Sequence, residues 1–471
     1  MKTLISRRGI ARCAPETHKA QLRCLAIVLL LFAVISQPSP ALPYAGRVLD
    51  TTTRVPLADA LVTLGDVTVR TNNDGTFEIE GPGDSIGFRA YGYRREFLPT
   101  AEFMSSKRDV VLTAFRPKAL YLSFFGIGST KLRESALSVI NRTQLNAVVI
   151  DIKGDRGMIA YRSSIALTQQ IGAQRITTIP NLKSLLDRLH RQGLYVIARI
   201  VVFKDNLLAT ARPQLAVKRS NGAIFRDREH LAWSDPFSKE ARNYNIAIAV
   251  EAADMGFDEI QFDYVRFPDE RGLVFSLPNT MENRLSAITA FLSEARKQLT
   301  RYNVFLAADI FGYVIWNPGD TQIGQRLEDL SSAVDYISPM LYPSSFQFGI
   351  PGYRFPIAHP YEIVLRSLQH AHERTGIAPI RLRPWLQDFR DYAFDRRSFG
   401  GAEIKAQIRA AENFGTAGWM LWNPRNVYSS EGLAPTVQAA GRRLPRRGKP
   451  SRGLIPVSHQ SFATRLQRRN N

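Results

Sequence analysis

The residues best suited to chemistry in this sequence are charged and aromatic side chains at the ends of apolar runs. Glu259–Phe267 holds Gln261, Asp263, Tyr264 and Arg266, and Val304–Phe311 carries Asp309 near its end. Ala147–Lys153 ends in Asp151-Ile152-Lys153, and Tyr195–Phe203 contains Arg199 and runs on into Lys204-Asp205. Ile380–Leu386 contains Trp385 and leads to Gln387-Asp388; Tyr336–Tyr342 ends on Tyr342; Gly418–Trp422 ends on Trp422, before Asn423. Two carboxyl groups facing one space suit glycosidic-bond hydrolysis, in which one protonates the leaving oxygen and the other attacks the anomeric carbon or activates water. Asp263 and Asp309 are the leading pair. With a strand period of two, Gln261 and Asp263 share one face and Ile260 and Phe262 the other, which turns the carboxylate inward. The same period puts Lys153 beside Asp151 and Ala307 and Phe311 beside Asp309. The plain alternative for each aspartate is an ion pair with Arg199, Lys153 or Arg266 that only fills the interior. Tyr264, Tyr342, Trp385 and Trp422 offer faces on which sugar rings could stack. Gln387, Asp388 and Asn423 are further supporting candidates, and Arg199, Lys153 and Arg266 could hold the carboxylates charged or bind an acidic sugar.

Other chemistries lack their residues. The seven histidines show neither His-x-His nor His-Glu-x-x-His spacing, so no catalytic metal is expected, and no Gly-x-Ser-x-Gly elbow is present for a serine nucleophile. No Gly-rich phosphate loop is found either, and no cofactor is expected. Both cysteines, Cys13 and Cys24, fall in the first 24 residues.

The elements that would position these side chains follow from periodicity. From residue 119 onward, eight buried apolar runs, Leu120–Phe125 being the first, alternate with helical stretches such as Asn181–Gln192, Lys239–Met255 and Glu282–Leu299. Repeated strand-helix units over this length predict a (β/α)8 TIM barrel of the α/β class, whose chemistry sits where strands end and the following loops begin. Residues 44–115 read differently, as short strands Ala45–Leu49, Ala60–Leu64, Val67–Arg70 and Thr76–Ile79 of a small all-β sandwich, with Asn73-Asp74-Gly75 expected to make a hairpin.

Composition and charge set the outer bounds. The 471 residues are 45% hydrophobic, enough for one large and one small domain, and the formal charge is +20. Most of that charge is terminal: residues 1–24 hold six Lys/Arg against Glu16, and residues 441–471 hold nine and no acid. A basic tail over 437–471 is expected to be unfolded and to associate weakly with anionic surfaces, and nucleic acid is not the expected partner. Residues 1–43 read as a leader, because Leu25–Ile35 is an eleven-residue apolar run after Arg23, too short to span a bilayer. Export to the periplasm or the medium follows, and an uncleaved leader would leave the chain membrane-anchored.

Two resemblances add to this reading. Gly46-Arg47-Val48, Pro56–Ala60, Asn73–Phe77 and Tyr91-Gly92-Tyr93 resemble the carboxypeptidase regulatory-like domains, which implies a spacer or adhesion module without chemistry of its own. Residues 118–436 resemble the bacterial "putative glycoside hydrolase" domain family, grouped with TIM-barrel glycosidases. The motifs that carry this are Asn146–Lys153, Tyr195–Asp205, Gly256–Pro268 and Arg383–Phe389. The stretch Gly256–Val265 is similar to the fourth strand of chitinases, but Val265 stands where their acidic glutamate would be. Asp263, Asp309 and Asp388 resemble the alpha-amylase layout of carboxylates after strands four, five and seven, with Asp in place of Glu on the fifth. The resemblance implies a polysaccharide substrate cleaved by paired carboxylates; the alternative is a non-catalytic glycan-binding or envelope-assembly protein on the same fold.

Overall fold

The computed structural model describes residues 43–103 and 108–436. Both cysteines, the apolar run of the leader and the basic tail lie outside these residues. The first seven strands are β1 (Tyr44–Asp50), β2 (Leu61–Leu64), β3 (Val67–Arg70), β4 (Thr76–Ile79), β5 (Ser85–Arg89), β6 (Glu96–Pro99) and β7 (Arg108–Leu112). They form a three-stranded sheet, β4-β1-β7, and a four-stranded sheet, β3-β2-β5-β6. Val48, Phe77, Ile79 and Val110 from the first meet Val62, Leu64, Ile86 and Phe88 from the second in one apolar core. The hairpin expected at Asn73-Asp74-Gly75 is not formed, because β3 and β4 lie in different sheets and the turn crosses between them. The tight hairpin joins β2 to β3 through Gly65-Asp66, where Leu64 pairs with Val67 and Gly65 takes φ +55°, a conformation that only glycine enters freely.

The rest of the chain supplies β8 (Lys118–Leu122), β9 (Ala147–Lys153), β10 (Tyr195–Val201), β11 (Lys218–Arg219), β12 (Glu259–Asp263), β13 (Leu273–Val274), β14 (Phe305–Ile310), β15 (Tyr336–Pro339), β16 (Trp385–Gln387) and β17 (Trp419–Trp422). The two-residue strands β11 and β13 pair with each other. The other eight form a parallel sheet in the order β15-β14-β12-β10-β9-β8-β17-β16. Bridges Ile337–Leu382 and Met340–Trp385 join its two edges, so the sheet closes into the barrel. Every residue of β9, β10, β12 and β14 is buried, as strands covered on both faces require. Side-chain oxygens of Asn181, Ser238 and Thr280 cap the helices Leu182–Arg191, Lys239–Met255 and Met281–Leu299.

Alternation sorts the strand residues into two cores. Val148, Ile150, Val196, Ala198, Ile260 and Phe262 pack outward against the helices, whereas Ala147, Val149, Ile197 and Ala307 pack inside the barrel. The sandwich docks on the end of the barrel where the strands begin. Arg89 Nη1 donates to Asn303 Oδ1 at 2.8 Å, Arg95 Nη2 to the Phe257 carbonyl at 2.8 Å, and the Gly92 N–H to Tyr336 Oη at 3.1 Å. Tyr91 and Phe115 pack against the interior residues there, so that end is plugged and the opposite end remains for chemistry.

Candidate functional site

The lowest interior layer is a closed ion pair. Arg383 Nη1 bonds both Glu259 oxygens, at 2.7 and 2.6 Å, and Tyr195 Oη donates to Glu259 Oε2 at 3.0 Å. Above it, Gln261 Nε2 donates to Ser338 Oγ at 3.1 Å. The top layer gathers what the strand ends were expected to bring. Arg199, from β10, is its hub. Its Nη1 donates to Asp151 Oδ1 at 2.5 Å, its Nε to Asp263 Oδ2 at 3.0 Å, and its Nη2 to the same Asp263 oxygen. Asp309 Oδ2 lies 3.7 Å from Arg199 Nε. Two carboxylate oxygens around one nitrogen, at 3.0 and 3.7 Å, are no more than about 6.7 Å apart. Trp385 Nε1 donates to Asp309 Oδ1 at 2.8 Å, and Asp309 Oδ2 has no hydrogen-bond donor.

Electrostatics separate these groups. Burial pushes the Asp309 carboxyl well above the usual carboxylate range and the charge of Asp263 adds to it, against the pull of Arg199. Burial also raises Asp151, opposed by Arg199 and by Tyr121, whose hydroxyl donates to Asp151 Oδ2 at 2.5 Å. Burial works against the guanidinium charge of Arg199, but Asp151 and Asp263 outweigh it and hold that charge firmly. Trp422 stacks on Tyr121 with ring centroids 3.9 Å apart, stands edge-on to Trp385, and places its ring 4.9 Å from the Arg199 guanidinium.

A cleft of about 160 Å³ opens over this layer, lined by Tyr121, Asp151, Arg199, Tyr264 and Trp422 and walled by Phe124, Phe125 and Met158. Asp263 and Asp309 do not line it. Asp263 is 4% exposed, and Asp309 is 1% exposed behind Trp385 and Arg199. Tyr264 has a left-handed backbone, φ +48°, and its N–H caps Asp263 Oδ1, so the chain turns away directly after the carboxylate.

Several expected residues stand apart from this centre. Lys153 does not share the face of Asp151. Arg199 pairs with Asp151 but Ile200 pairs with Lys153, so one extra residue bulges in β9 and turns the lysine outward. There its Nζ meets Asp205 Oδ2 at 2.8 Å, with both side chains fully buried. Arg266 donates to the Phe267 carbonyl at 3.0 Å and lies over the rings of Trp233 and Tyr264, away from the carboxylates. Gln387 Nε2 donates to Ser344 Oγ at 2.7 Å and ties two loops together. Asn423 braces the loop after β17, its Nδ2 donating to the Val427 carbonyl at 2.8 Å. Tyr342 is buried in the inner core, where burial and then Asp309 and Asp263 push its hydroxyl up. Asp388 follows β16 half-buried, its N–H donating to the Trp422 carbonyl at 3.0 Å, and burial alone pushes its carboxyl up to about 7. Val265, at the position of the chitinase glutamate, is fully buried in the outer core and can carry no acid. Tyr121 is the site residue that sequence reasoning missed. Its signal was available, since alternation from Ala119 turns it inward in the first run.

The chain is similar to several solved structures. A crystal structure of a hypothetical protein from Ruminiclostridium thermocellum is 41% identical, covering 40% of this chain and 96% of that one, with a TM-score of 0.37. The glycoside hydrolase domain of PgaB (BpsB) from Bordetella bronchiseptica is 14% identical over 66% of this chain and 95% of its own, with a TM-score of 0.48. The spore cortex-lytic enzyme SleL of Bacillus cereus is 12% identical over 68% and 74%, with a TM-score of 0.39. No curated protein matches the sequence. One family model matches residues 119–428, the span of the barrel from its first strand to the loop after its last, and by that match the chain belongs to the family described as "Putative glycosyl hydrolase domain".

Proposed function

We propose that this chain hydrolyses glycosidic bonds of a polysaccharide at the open end of its barrel, with Asp263 as nucleophile or base. The observation that carries the reading is the convergence of carboxylates from β9, β12 and β14 on Arg199, beneath a cleft walled by Tyr121, Tyr264 and Trp422. A core filled for stability alone would hold branched apolar residues in this layer. The upper bound of about 6.7 Å on the separation of Asp263 Oδ2 and Asp309 Oδ2 leaves room for the roughly 5 to 5.5 Å spacing of retaining glycosidases. Asp309, kept above the usual range by burial, is the proton-holding partner. Asp388 is the alternative donor, because it is unpaired, only half-buried and pushed up to about 7. Export through the leader would put the substrate outside the cytoplasm.

Glycan binding without hydrolysis is the second reading, and a specific observation favours it. Arg199 engages Asp151 and Asp263, and Asp309 is sealed from the cleft, as in an ion-pair network that only holds the barrel together. Reducing-end release from a panel of purified bacterial and plant glycans, run beside a pull-down on the same panel, separates the two. Release supports hydrolysis; retention on a glycan without release supports binding alone.

A further inference from the structure

Among the described residues, every large apolar side chain that the barrel strongly exposes lies at the open end, from Phe125 after β8 to Val427 after β17. On the long outer helices only Met281, at the open-end start of Met281–Leu299, is strongly exposed among the described residues, and the sandwich at the plugged end exposes Val55, Val67, Phe97 and Val111. Monomeric surfaces seldom concentrate such side chains on one face unless the face binds something. The exposed aromatic rings are densest after β15 and β16, where Phe348 is 91% exposed, Tyr392 45% and Phe355 42%.

These rings are continuous with the carboxylate centre. Tyr342, beside Asp309, meets Phe389 edge-on at 5.4 Å between centroids, and Phe389 lies nearly parallel to Tyr392 at 6.1 Å. Phe355, from the loop after β15, meets Phe394 of the next loop at 5.4 Å, so the loops form one surface. The same loops carry Arg354, Arg390, Arg396 and Arg425, all exposed and none with a carboxylate within salt-bridge distance. Two of the acids there are engaged, Asp395 with Arg397 at 2.7 Å and Asp391 with Ser344 Oγ at 2.7 Å, while Asp388 and Glu431 pair with no cation among the described residues. Arg390 Nε also donates to the Arg396 carbonyl, but none of these guanidinium groups is neutralised by a carboxylate among the described residues. Aromatic faces interleaved with such groups match a polymer whose rings offer C–H faces and whose substituents are anionic.

We propose that the loops after β15, β16 and β17 bind an acidic polysaccharide, one whose sugars bear carboxylates, and lead it toward the Asp263 centre. This rests on the reading of the open end as a glycan site and names its substrate class. An anionic membrane surface would meet the same charges, but the aromatic succession running inward from Tyr392 to Tyr342 favours a chain that enters the barrel mouth over a bilayer that lies across it.

The test is affinity electrophoresis of the full chain in gels containing polygalacturonate, alginate or neutral hydroxyethylcellulose, with flotation on phosphatidylglycerol vesicles alongside. Retardation is expected in the two uronate gels and not in the neutral one. The triple variant Arg390→Gln/Arg396→Gln/Arg425→Gln is expected to bind the uronates about tenfold more weakly, several small exposed ion-pair contributions acting together. Tyr392→Ala is expected to weaken binding about threefold with melting unchanged, since its ring is largely exposed. The variants retain the basic C-terminal residues, so unchanged affinity in the triple variant would assign any binding to those residues and overturn the proposal. Equal retardation by the neutral polymer would overturn it too, as would vesicle binding that the triple variant abolishes without a change in uronate binding. Uronate binding without reducing-end release would sink hydrolysis and leave this surface standing. Hydrolysis of a neutral glycan with no retardation by either uronate would do the reverse.

Discussion

Replacing Arg199 with methionine removes the one cation that three buried carboxyls share. The guanidinium bonds Asp151 and Asp263 directly and lies 3.7 Å from Asp309, and all four residues are almost fully buried. Breaking a buried pair by deleting one partner costs about 3–5 kcal/mol, because the charge left behind has neither water nor a counter-ion. In a barrel of this size about 2 °C of melting temperature corresponds to each kcal/mol, so a fall of about 6–10 °C is expected at pH 8. The fall is expected to shrink with acidification. Burial holds Asp151 and Asp309 above the ordinary carboxylate range in the wild type, so each binds its proton more tightly in the fold than in the unfolded chain. Stability contributed by such a group is fully present at low pH and is lost as pH rises through its folded value. Without Arg199 those folded values move higher, and protonation at pH 5 relieves part of the cost. Thermal melts of wild type and Arg199→Met at pH 5 and pH 8, with far-UV circular dichroism to verify folding, measure both effects. A variant that melts like wild type at pH 8, or loses more at pH 5 than at pH 8, would refute the shared-cation argument.

Other substitutions test the remaining assignments. Lys153→Met is expected to lower melting by a similar amount, since Asp205 would be left buried and unpaired, while per-molecule activity stays near wild type; a large loss of turnover with normal melting would return the lysine to the site. If Asp388 donates the proton, wild-type activity falls as pH rises through about 7 and Asp388→Asn removes that alkaline limb; a limb that persists in the variant assigns the proton to Asp309. Asp388→Asn is also expected to raise melting more at pH 8 than at pH 5, because ionising a buried carboxyl costs stability above its folded value, and scanning calorimetry at the two pH values reads this. Trp385→Phe removes the only hydrogen bond that the described residues donate to the Asp309 carboxyl and is expected to cost about 1–3 kcal/mol, seen as a lower denaturant midpoint; an unchanged midpoint would show that bond to be idle.

Much of this site was legible in the sequence because a barrel strand has a fixed period. Alternation alone turns Asp151, Arg199, Asp263 and Asp309 inward, and the structure brings them around one guanidinium. Tyr121 followed the same rule but sits in a run that shows no charge to draw notice. Lys153 defeated the rule because the bulge in β9 adds a residue that no local pattern announces. The left-handed Tyr264 cut short the run read through to Phe267, since nothing in an aromatic side chain signals positive φ. The seventh strand is similarly shorter than its apolar run, because Pro379 starts a helical turn and Pro384 directly precedes β16. The hairpin expected at Asn73-Asp74-Gly75 went to the crossing between sheets, a choice that depends on which strands pair at long range. Access to the carboxylates was beyond the sequence altogether, since the burial of Asp309 behind Trp385 and Arg199 comes from residues distant along the chain.

The central claim is tested most directly by turnover of wild type and Asp263→Asn on whichever glycan of the panel releases reducing ends, with melting measured on the same samples. Asn can still accept from Arg199, which keeps Asp151 as its counter-ion, so melting is expected to shift little. Turnover is expected to fall about a hundredfold or more, the scale of a lost acid/base or nucleophilic group. A variant that melts well below wild type yet keeps most of its per-molecule activity would contradict the account, and Asp263 would then be a strut of the Arg199 network.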